Sequence, residues 1–196
     1  MVQMKHEFGS WPNSYACCPS LDITIDNSRL RPLCWSDRLE IRRWRNAQLP
    51  ILRQRTELTA KQQDEYFQLV VANEMKIQFP PQILLGLDCS GDFVAYGGLV
   101  HISWMDRHAE LSFLTDPNYS NNNDHRRLLD IFVKLLSQLA LNELGLHRLF
   151  TETYSFRTEH IKMLESVGFC KEGVLKEHVV INGEYVDSIM HGLILE

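Results

Sequence analysis

Three basic side chains follow a helix-start signal in the middle of the chain. The run Asn121-Asn122-Asn123-Asp124 is typical of a helix N-terminus, so His125, Arg126 and Arg127 fall in the first turn. Cations there oppose the helix dipole at a cost of about 0.3–1 kcal/mol each, whereas an anion is stabilised. We therefore predict that Arg126 and Arg127 bind phosphate. The alternative is a solvated basic turn paired with Asp124 and Asp130.

A second group of titratable side chains lies on one predicted hairpin. His101, His108 and Glu110 stand close together in the sequence, and an imidazole or a carboxylate can accept a proton near neutral pH. Each also has an ordinary interpretation: a surface or structural histidine, and a glutamate paired with Arg107. The sequence has no Walker loop, no GxSxG elbow and no His/Cys cluster with metal spacing, so we expect no metal.

Composition limits the classes of function. The chain has 196 residues, a formal net charge of −5 and 44% hydrophobic residues, which is typical of a globular domain with its own core. There is no overall basic charge for nucleic acid and no apolar run of about 20 residues for a membrane, so neither partner is expected. Five cysteines without a CxxC pair fit reduced thiols, and we predict a cytoplasmic protein.

The helices and strands that must position these residues are predicted to form a mixed α/β domain. Residues 1–27 are predicted to be an irregular arm and residues 28–196 the domain. Apolar patterns, caps and turns predict one mixed, mostly antiparallel sheet with helices on both faces. The strands and helices are expected in this order: a strand at 29–33, a helix from Ser36 or Asp37, a helix capped by Thr59 with Gln62, strands at 83–89, 93–103 and 109–114, a long helix ending near Gly145, a strand at 148–156, a helix capped by Thr158, and a hairpin turning at Asn182-Gly183.

Three segments make the resemblance to a known family specific. They are LRPLCWSDRLEIRRWRN at 30–46, YGGLVHISWMDRHAELSFLTDP at 96–117 and the run from LALNELGLHRLF to SIMHGLI at 139–194. The chain resembles the GNAT (Gcn5-related) N-acetyltransferases over about residues 28–194, and in particular the branch that acts on ribosomal-protein N-termini, polyamines and amino sugars. The resemblance implies acetyl transfer from acetyl-CoA to a primary amine.

The resemblance also implies where the donor binds. The backbone of the strand that ends with Leu111, Ser112, Phe113 and Leu114 should hydrogen-bond the pantetheine arm. The pyrophosphate should lie at the N-terminus of the long helix. The family's glycine-containing phosphate loop falls at residues 124–129, where this chain has no glycine. We therefore expect His125, Arg126 and Arg127 to contact the phosphates through their side chains.

Two further positions depart from the family pattern. Many relatives have an asparagine near the CoA thiol where this chain has Arg157, which we retain as a CoA-binding candidate. Many have a tyrosine that protonates the leaving thiolate where this chain has Leu164. Among catalytic candidates, Glu110 is the expected base, with His101 and His108 as substitutes. Tyr154, at the end of the strand beside the expected thioester, could donate the proton.

The sequence leaves several functions open. The preferred acceptor is a small-molecule amine, above all an amino sugar. A protein N-terminus of the ribosomal-protein type is the alternative enzyme substrate. A GNAT-fold module that binds a ligand without catalysis is the alternative from another class, because the glycines, asparagine and tyrosine are missing. A homodimer is compatible with the resemblance.

Overall fold

The computed structural model describes residues 10–196, and an eight-stranded sheet runs through their centre. The strands are β1 (Ile23–Ile25), β2 (Ser28–Pro32), β3 (Ile83–Cys89), β4 (Asp92–Ser103), β5 (His108–Thr115), β6 (Arg148–Tyr154), β7 (Cys170–Ile181) and β8 (Glu184–Ile194). The helices are α1 (Asp37–Ala47), α2 (Ala60–Tyr66), α3 (Ala72–Glu74), α4 (Asn122–Gln138) and α5 (Thr158–Ser166), with π-helical turns at Phe67–Val71 and Leu139–Glu143.

The order of strands across the sheet is β1-β2-β3-β4-β5-β6-β8-β7. All neighbours pair antiparallel except β5 and β6, which pair parallel. Parallel neighbours need a crossover connection, and α4 lies in that connection. The predicted mixed, mostly antiparallel sheet is therefore confirmed.

Helix α4 forms because its local signals agree with its packing. The Asn121 side chain accepts a hydrogen bond from the backbone N–H of Asp124, which satisfies one free donor of the first turn. Apolar residues recur at helical spacing on one face, and they are fully buried: Leu128, Leu129, Phe132, Leu135, Leu136 and Leu139. The helix therefore holds its first turn firmly beside the end of β5.

One predicted helix cap and one predicted turn are confirmed, and a second predicted cap is wrong. Thr59 and Gln62 form a capping box at α2, and Asn182-Gly183 turns the last hairpin with both residues at positive φ. Thr158 does not cap α5. It is the first residue of that helix, and Arg157 stands at the N-cap without a side-chain cap bond.

The segment before β2 contributes to the fold. The short strand β1 lies within the stretch that the sequence assigned to an arm, and residues 1–9 of that arm lie outside the described part. The buried Tyr15 hydroxyl accepts from the backbone N–H of Leu84 and donates to its carbonyl, at 2.8 and 3.1 Å. Burial raises the pKa of Tyr15 far above its usual value. The domain boundary at residue 28 stays a prediction.

Candidate active site

A cleft opens where strands β5 and β6 separate. Their register contains three residue pairs, of which the last is Glu110 with Phe150. Beyond it, residues 111–115 pair with β4 alone, and β6 pairs with β8. The space between the strands is a cavity of about 300 Å³, and its walls include Leu111, Ser112, Phe113, Thr151, Glu152, Thr153, Tyr154, Arg157 and His160. The backbone edge of β5 thus faces an open cleft.

Glu110 lies at the apex of this cleft and is almost completely buried. Its Oε2 atom is 2.7 Å from Nδ1 of His101. Arg53 donates to both carboxylate oxygens, at 2.7 and 3.2 Å. The alternative partner considered from the sequence, Arg107, instead donates to the Gly145 carbonyl at 2.6 Å. The carboxylate is therefore held by one cation and one titratable ring.

A bulge in β4 brings His101 to Glu110. Val100 pairs with Glu110, and the register then shifts before Ser103. Neighbouring residues of a regular strand point to opposite faces, so His101 would normally point away from Glu110. Its φ of 49° is in the left-handed region, which a bulge accommodates and which redirects the ring. The Glu110–His101 contact therefore depends on a bulge in β4 that the sequence does not predict.

A second carboxylate shares the same arginine. Arg53 also donates to Oε2 of Glu152 at 3.0 Å, and the other oxygen of Glu152 accepts from the Ser188 hydroxyl at 2.7 Å. Burial lowers the pKa of Arg53, but the bonds and charges of the two glutamates outweigh burial and raise it. Sequence reasoning missed both Arg53 and Glu152, because Arg53 lies in an irregular stretch far from either glutamate in the chain.

Two polar groups on the β6 side of the cleft lack an obvious structural role. The Tyr154 hydroxyl is buried and has no hydrogen-bond partner among residues 10–196. Arg157 follows it, and burial lowers the pKa of its guanidinium to about 10, although the nearby Tyr154 acts in the opposite direction. An uncompensated buried donor is costly, so both groups are suited to a ligand in the cleft.

A pair of histidines joins the first turns of two helices next to Arg157. We call His125, on α4, and His160, on α5, the histidine pair. Nε2 of His125 is 3.2 Å from Nδ1 of His160, and Nδ1 of His125 is 3.3 Å from the Thr115 hydroxyl. Burial, followed by the charge of Arg157, lowers the pKa of His125 to about 4 and that of His160 well below 6.5. Both rings are therefore neutral at physiological pH.

The structure separates the two arginines of the basic turn from the cleft. Arg126 and Arg127 are exposed and line a different groove, beside Ser166 and Val167 of the α5 end. Their role in phosphate binding stays a prediction.

Three other positions named from the sequence lie as follows. Leu114 and Leu164 are buried in the core. His108 packs its ring edgewise on Phe150.

The part of the chain that the structure describes holds neither a metal-binding cluster nor a membrane-spanning helix. Between residues 10 and 196, no three His, Cys, Asp or Glu side chains are grouped so that they could hold a metal ion. None of the helices in that range is long and apolar enough to span a bilayer.

Comparison with known families identifies the class. The family model described as acetyltransferase (GNAT) domain matches residues 30–190, and the chain therefore belongs to the GNAT acetyltransferase family. Membership makes it an acetyltransferase enzyme. No curated protein sequence matches the chain significantly.

Solved structures with the same fold include spermidine N-acetyltransferases. A chimera of SpeG from Vibrio cholerae and hSSAT is 19% identical, with 87% of this chain and 96% of that chain covered and a TM-score of 0.74. A spermidine N-acetyltransferase from Vibrio cholerae in complex with CoA and spermine is 18% identical, with 86% of this chain and 96% of that chain covered and a TM-score of 0.74. At these identities the likeness establishes the fold, and the substrate must be argued from this chain's own residues.

Proposed function

We propose that this protein transfers an acetyl group from acetyl-CoA to the primary amine of a small molecule. The observation that carries the proposal is the separation of β5 from β6 just beyond Glu110. It opens a cleft with an unpaired strand edge along one wall and a buried carboxylate at its apex. A thioester with an extended pantetheine arm fits such a cleft, because backbone amides and carbonyls can bond its amide groups.

The phosphate end of the donor is assigned to the first turns of α4 and α5. Free N–H groups and the dipole of α4 favour an anion there. Arg157 supplies a cation, and the histidine pair supplies ring nitrogens in place of glycine backbone groups. Leu111, Ser112 and Phe113 stand along the path between this end and Glu110. The buried Tyr154 hydroxyl, which has no hydrogen-bond partner among the described residues, supports a donor whose sulfur ends beside it.

The proposed chemistry begins with the amine. Acceptor amines are mostly ammonium ions at neutral pH, and attack requires the neutral form. Glu110 accepts the ammonium proton, and the exposed ring of His101, bonded to its Oε2, relays it to solvent. The nitrogen lone pair attacks the thioester carbonyl carbon, and the carbon–sulfur bond then breaks. Tyr154 gives its hydroxyl proton to the departing CoA thiolate, and the proton that the attacking nitrogen then loses passes through water to the tyrosinate and restores its hydroxyl.

The acceptor is assigned to the side of the cleft formed by α1, α2 and the segment between them. An amino sugar is the preferred acceptor from the family resemblance, and any small primary amine would satisfy the chemistry at Glu110. Arg53 must leave Glu110 or share it when an ammonium group arrives, because its guanidinium now occupies both carboxylate oxygens. The resting contact therefore keeps the buried carboxylate neutralised between turnovers.

A second function is favoured by one observation. Helix α4 begins at Asn122, so residues 124–129, where the family has its glycine loop, are helical. A chain that had lost donor binding would be a ligand-binding module without catalysis. The two functions differ in whether acetyl-CoA binds and whether CoA thiol is released.

The test combines calorimetry with a thiol-release assay. We expect acetyl-CoA to bind in the micromolar range and an amine panel to release CoA thiol. Glu110→Gln should reduce kcat/KM by at least about 100-fold with little change in acetyl-CoA affinity, whereas Glu184→Gln, at an exposed carboxylate of the last hairpin, should not. Absence of acetyl-CoA binding would refute the transferase and support the binding module, and binding without thiol release from any amine would refute acetyl transfer to a small primary amine.

A further inference from the structure

A second cavity adjoins the cleft on the side of helices α1 and α2. We call it the α1–α2 cavity. It measures about 310 Å³, and its lining residues include Arg45, Gln63, Gln82, Tyr96, Val100 and Ser112. Four of these residues, Arg45, Gln82, Val100 and Ser112, also line the cleft. One small molecule can therefore reach from Glu110 into this cavity.

The charge of the α1–α2 cavity is positive. Arg45 is the sole charged side chain among its described lining residues. It donates from Nε to Gln54 at 2.7 Å and from Nη1 to the Tyr96 hydroxyl at 2.8 Å. Both partners are neutral, and no carboxylate in residues 10–196 forms an ion pair with it. Its Nη2 group remains available, so Arg45 is a pre-positioned but uncompensated cation.

A neutral amide lines the same cavity. Gln63 is 3% exposed and lines the α1–α2 cavity, and a side-chain amide N–H can donate to an anion. Gln82, which also lines the cavity, already donates to the Glu74 carboxylate at 2.6 Å. Glu74 does not itself line the cavity.

Arginines outnumber carboxylates in the lining of the cleft. Glu110 and Glu152 share the guanidinium of Arg53, Arg45 and Arg157 add two further positive charges, and the α1–α2 cavity adds no third acid. A polyamine carries an ammonium group at each end and needs an acid for each of them. An ammonium group placed in the α1–α2 cavity would meet the positive charge of Arg45 instead, and like charges at short range repel.

We propose that the acceptor is a primary amine that also carries an anionic group, a carboxylate or a phosphate, and that Arg45 binds that group in the α1–α2 cavity. The proposal rests on the proposed acetyl transfer and assigns its substrate class. The amine reaches Glu110 while the anion lies on Arg45 and accepts from Gln63. Arg45 is thus a specificity-determining residue, and diamines are poor acceptors.

The test uses matched acceptors in the thiol-release assay with acetyl-CoA. One set has equal length: 6-aminohexanoate, hexylamine and 1,6-diaminohexane. A second set separates the two kinds of anion: glucosamine 6-phosphate and glucosamine. Wild-type protein should prefer the anionic member of at least one set by about 10- to 100-fold in kcat/KM, the range expected of a charge-assisted hydrogen bond. The set with the larger ratio identifies carboxylate or phosphate.

Variants assign the preference to Arg45. Arg45→Gln should abolish the preference, mainly by raising the KM of the anionic amine, and Arg45→Lys should restore part of it. Equilibrium binding of the anionic amine to the CoA-bound protein, measured by calorimetry, should follow the same order. A preference for the diamine, or an anion preference that survives in Arg45→Gln, would overturn the assignment. Absence of thiol release with every amine would instead refute the transferase proposal, and loss of binding in Arg45→Gln would still support the anion site.

Discussion

Acid should destabilise this protein through its histidine pair. His125 and His160 are neutral in the folded protein because burial and the charge of Arg157 oppose protonation. In the unfolded chain a histidine takes a proton near pH 6.5. Between about pH 6.5 and pH 4 the unfolded state therefore binds more protons than the folded state. The free energy of unfolding rises with pH across this window and is lost as the pH falls through it.

The size of the effect follows from the pKa of His125. A fall from 6.5 to about 4 corresponds to a loss of about 3 kcal/mol once the pH is below both values. At pH 5 the loss is about 2 kcal/mol. His125 is only partly buried, so solvent screening reduces this figure toward about 1 kcal/mol. His160 adds to the loss in the same direction.

Urea unfolding at pH 7.5 and pH 5.0 measures this loss. His125→Gln keeps a polar group beside Thr115 but cannot be protonated. Its free energy of unfolding should fall between the two pH values by about 1 to 2 kcal/mol less than that of the wild type. The matched control is His147→Gln, since His147 is exposed and should leave the wild-type difference unchanged. Equal pH dependence in wild type and His125→Gln would refute the argument that burial of this ring opposes its protonation.

Four further predictions follow from the site and the fold. Tyr154→Phe should lower kcat with an unchanged acetyl-CoA Kd, because only the proton for the thiolate is lost; an unchanged kcat in single-turnover thiol release would contradict that role. Arg53→Ala should raise kcat/KM for diamines relative to wild type, since Glu110 and Glu152 are then free for ammonium groups; a fall would show that Arg53 assists cationic acceptors. CoA binding at pH 6 should take up protons, because phosphate raises the pKa of the histidine pair; calorimetric enthalpies that do not vary with buffer ionisation would refute this. Gly97→Ala should destabilise by several kcal/mol, as its added carbon would lie 2.0 Å from the Ser112 carbonyl oxygen; an unfolding midpoint equal to wild type would mean that β4 and β5 can separate there.

The predictable part of the fold is the part that local chemistry decides. The turn at Asn182-Gly183 follows from residues that tolerate positive φ, and the Thr59 capping box from four consecutive positions. The periodic apolar face of α4 gave its location and its role as the crossover. In each of these the residues that interact are neighbours in sequence, so the pattern can be seen before the structure is known.

The parts of the site that could not be predicted are contacts between distant residues. Arg53 meets Glu110 across 57 positions in the chain, and no pattern in residues 52–59 indicates that partner. Glu110 and His101 were proposed from the sequence, but their contact depends on the bulge after Val100. The proposed cap at Thr158 was wrong because the N-cap lies one residue earlier, at Arg157. Tertiary packing therefore determines that Arg53 and His101 contact the Glu110 carboxylate.

The three-pair junction between β5 and β6 divides the sheet into two unequal parts. Strands β1 to β5 form one ladder, and β6, β8 and β7 form another. Few backbone bonds cross this junction, so cooperative unfolding depends on the helices that cover it. A chain cut between residues 143 and 147 would yield two fragments, each with a continuous ladder. A molecule that hydrogen-bonds the β5 edge while contacting β6 would hold the two fragments together. The amount of reassembled protein would then measure the concentration of that molecule.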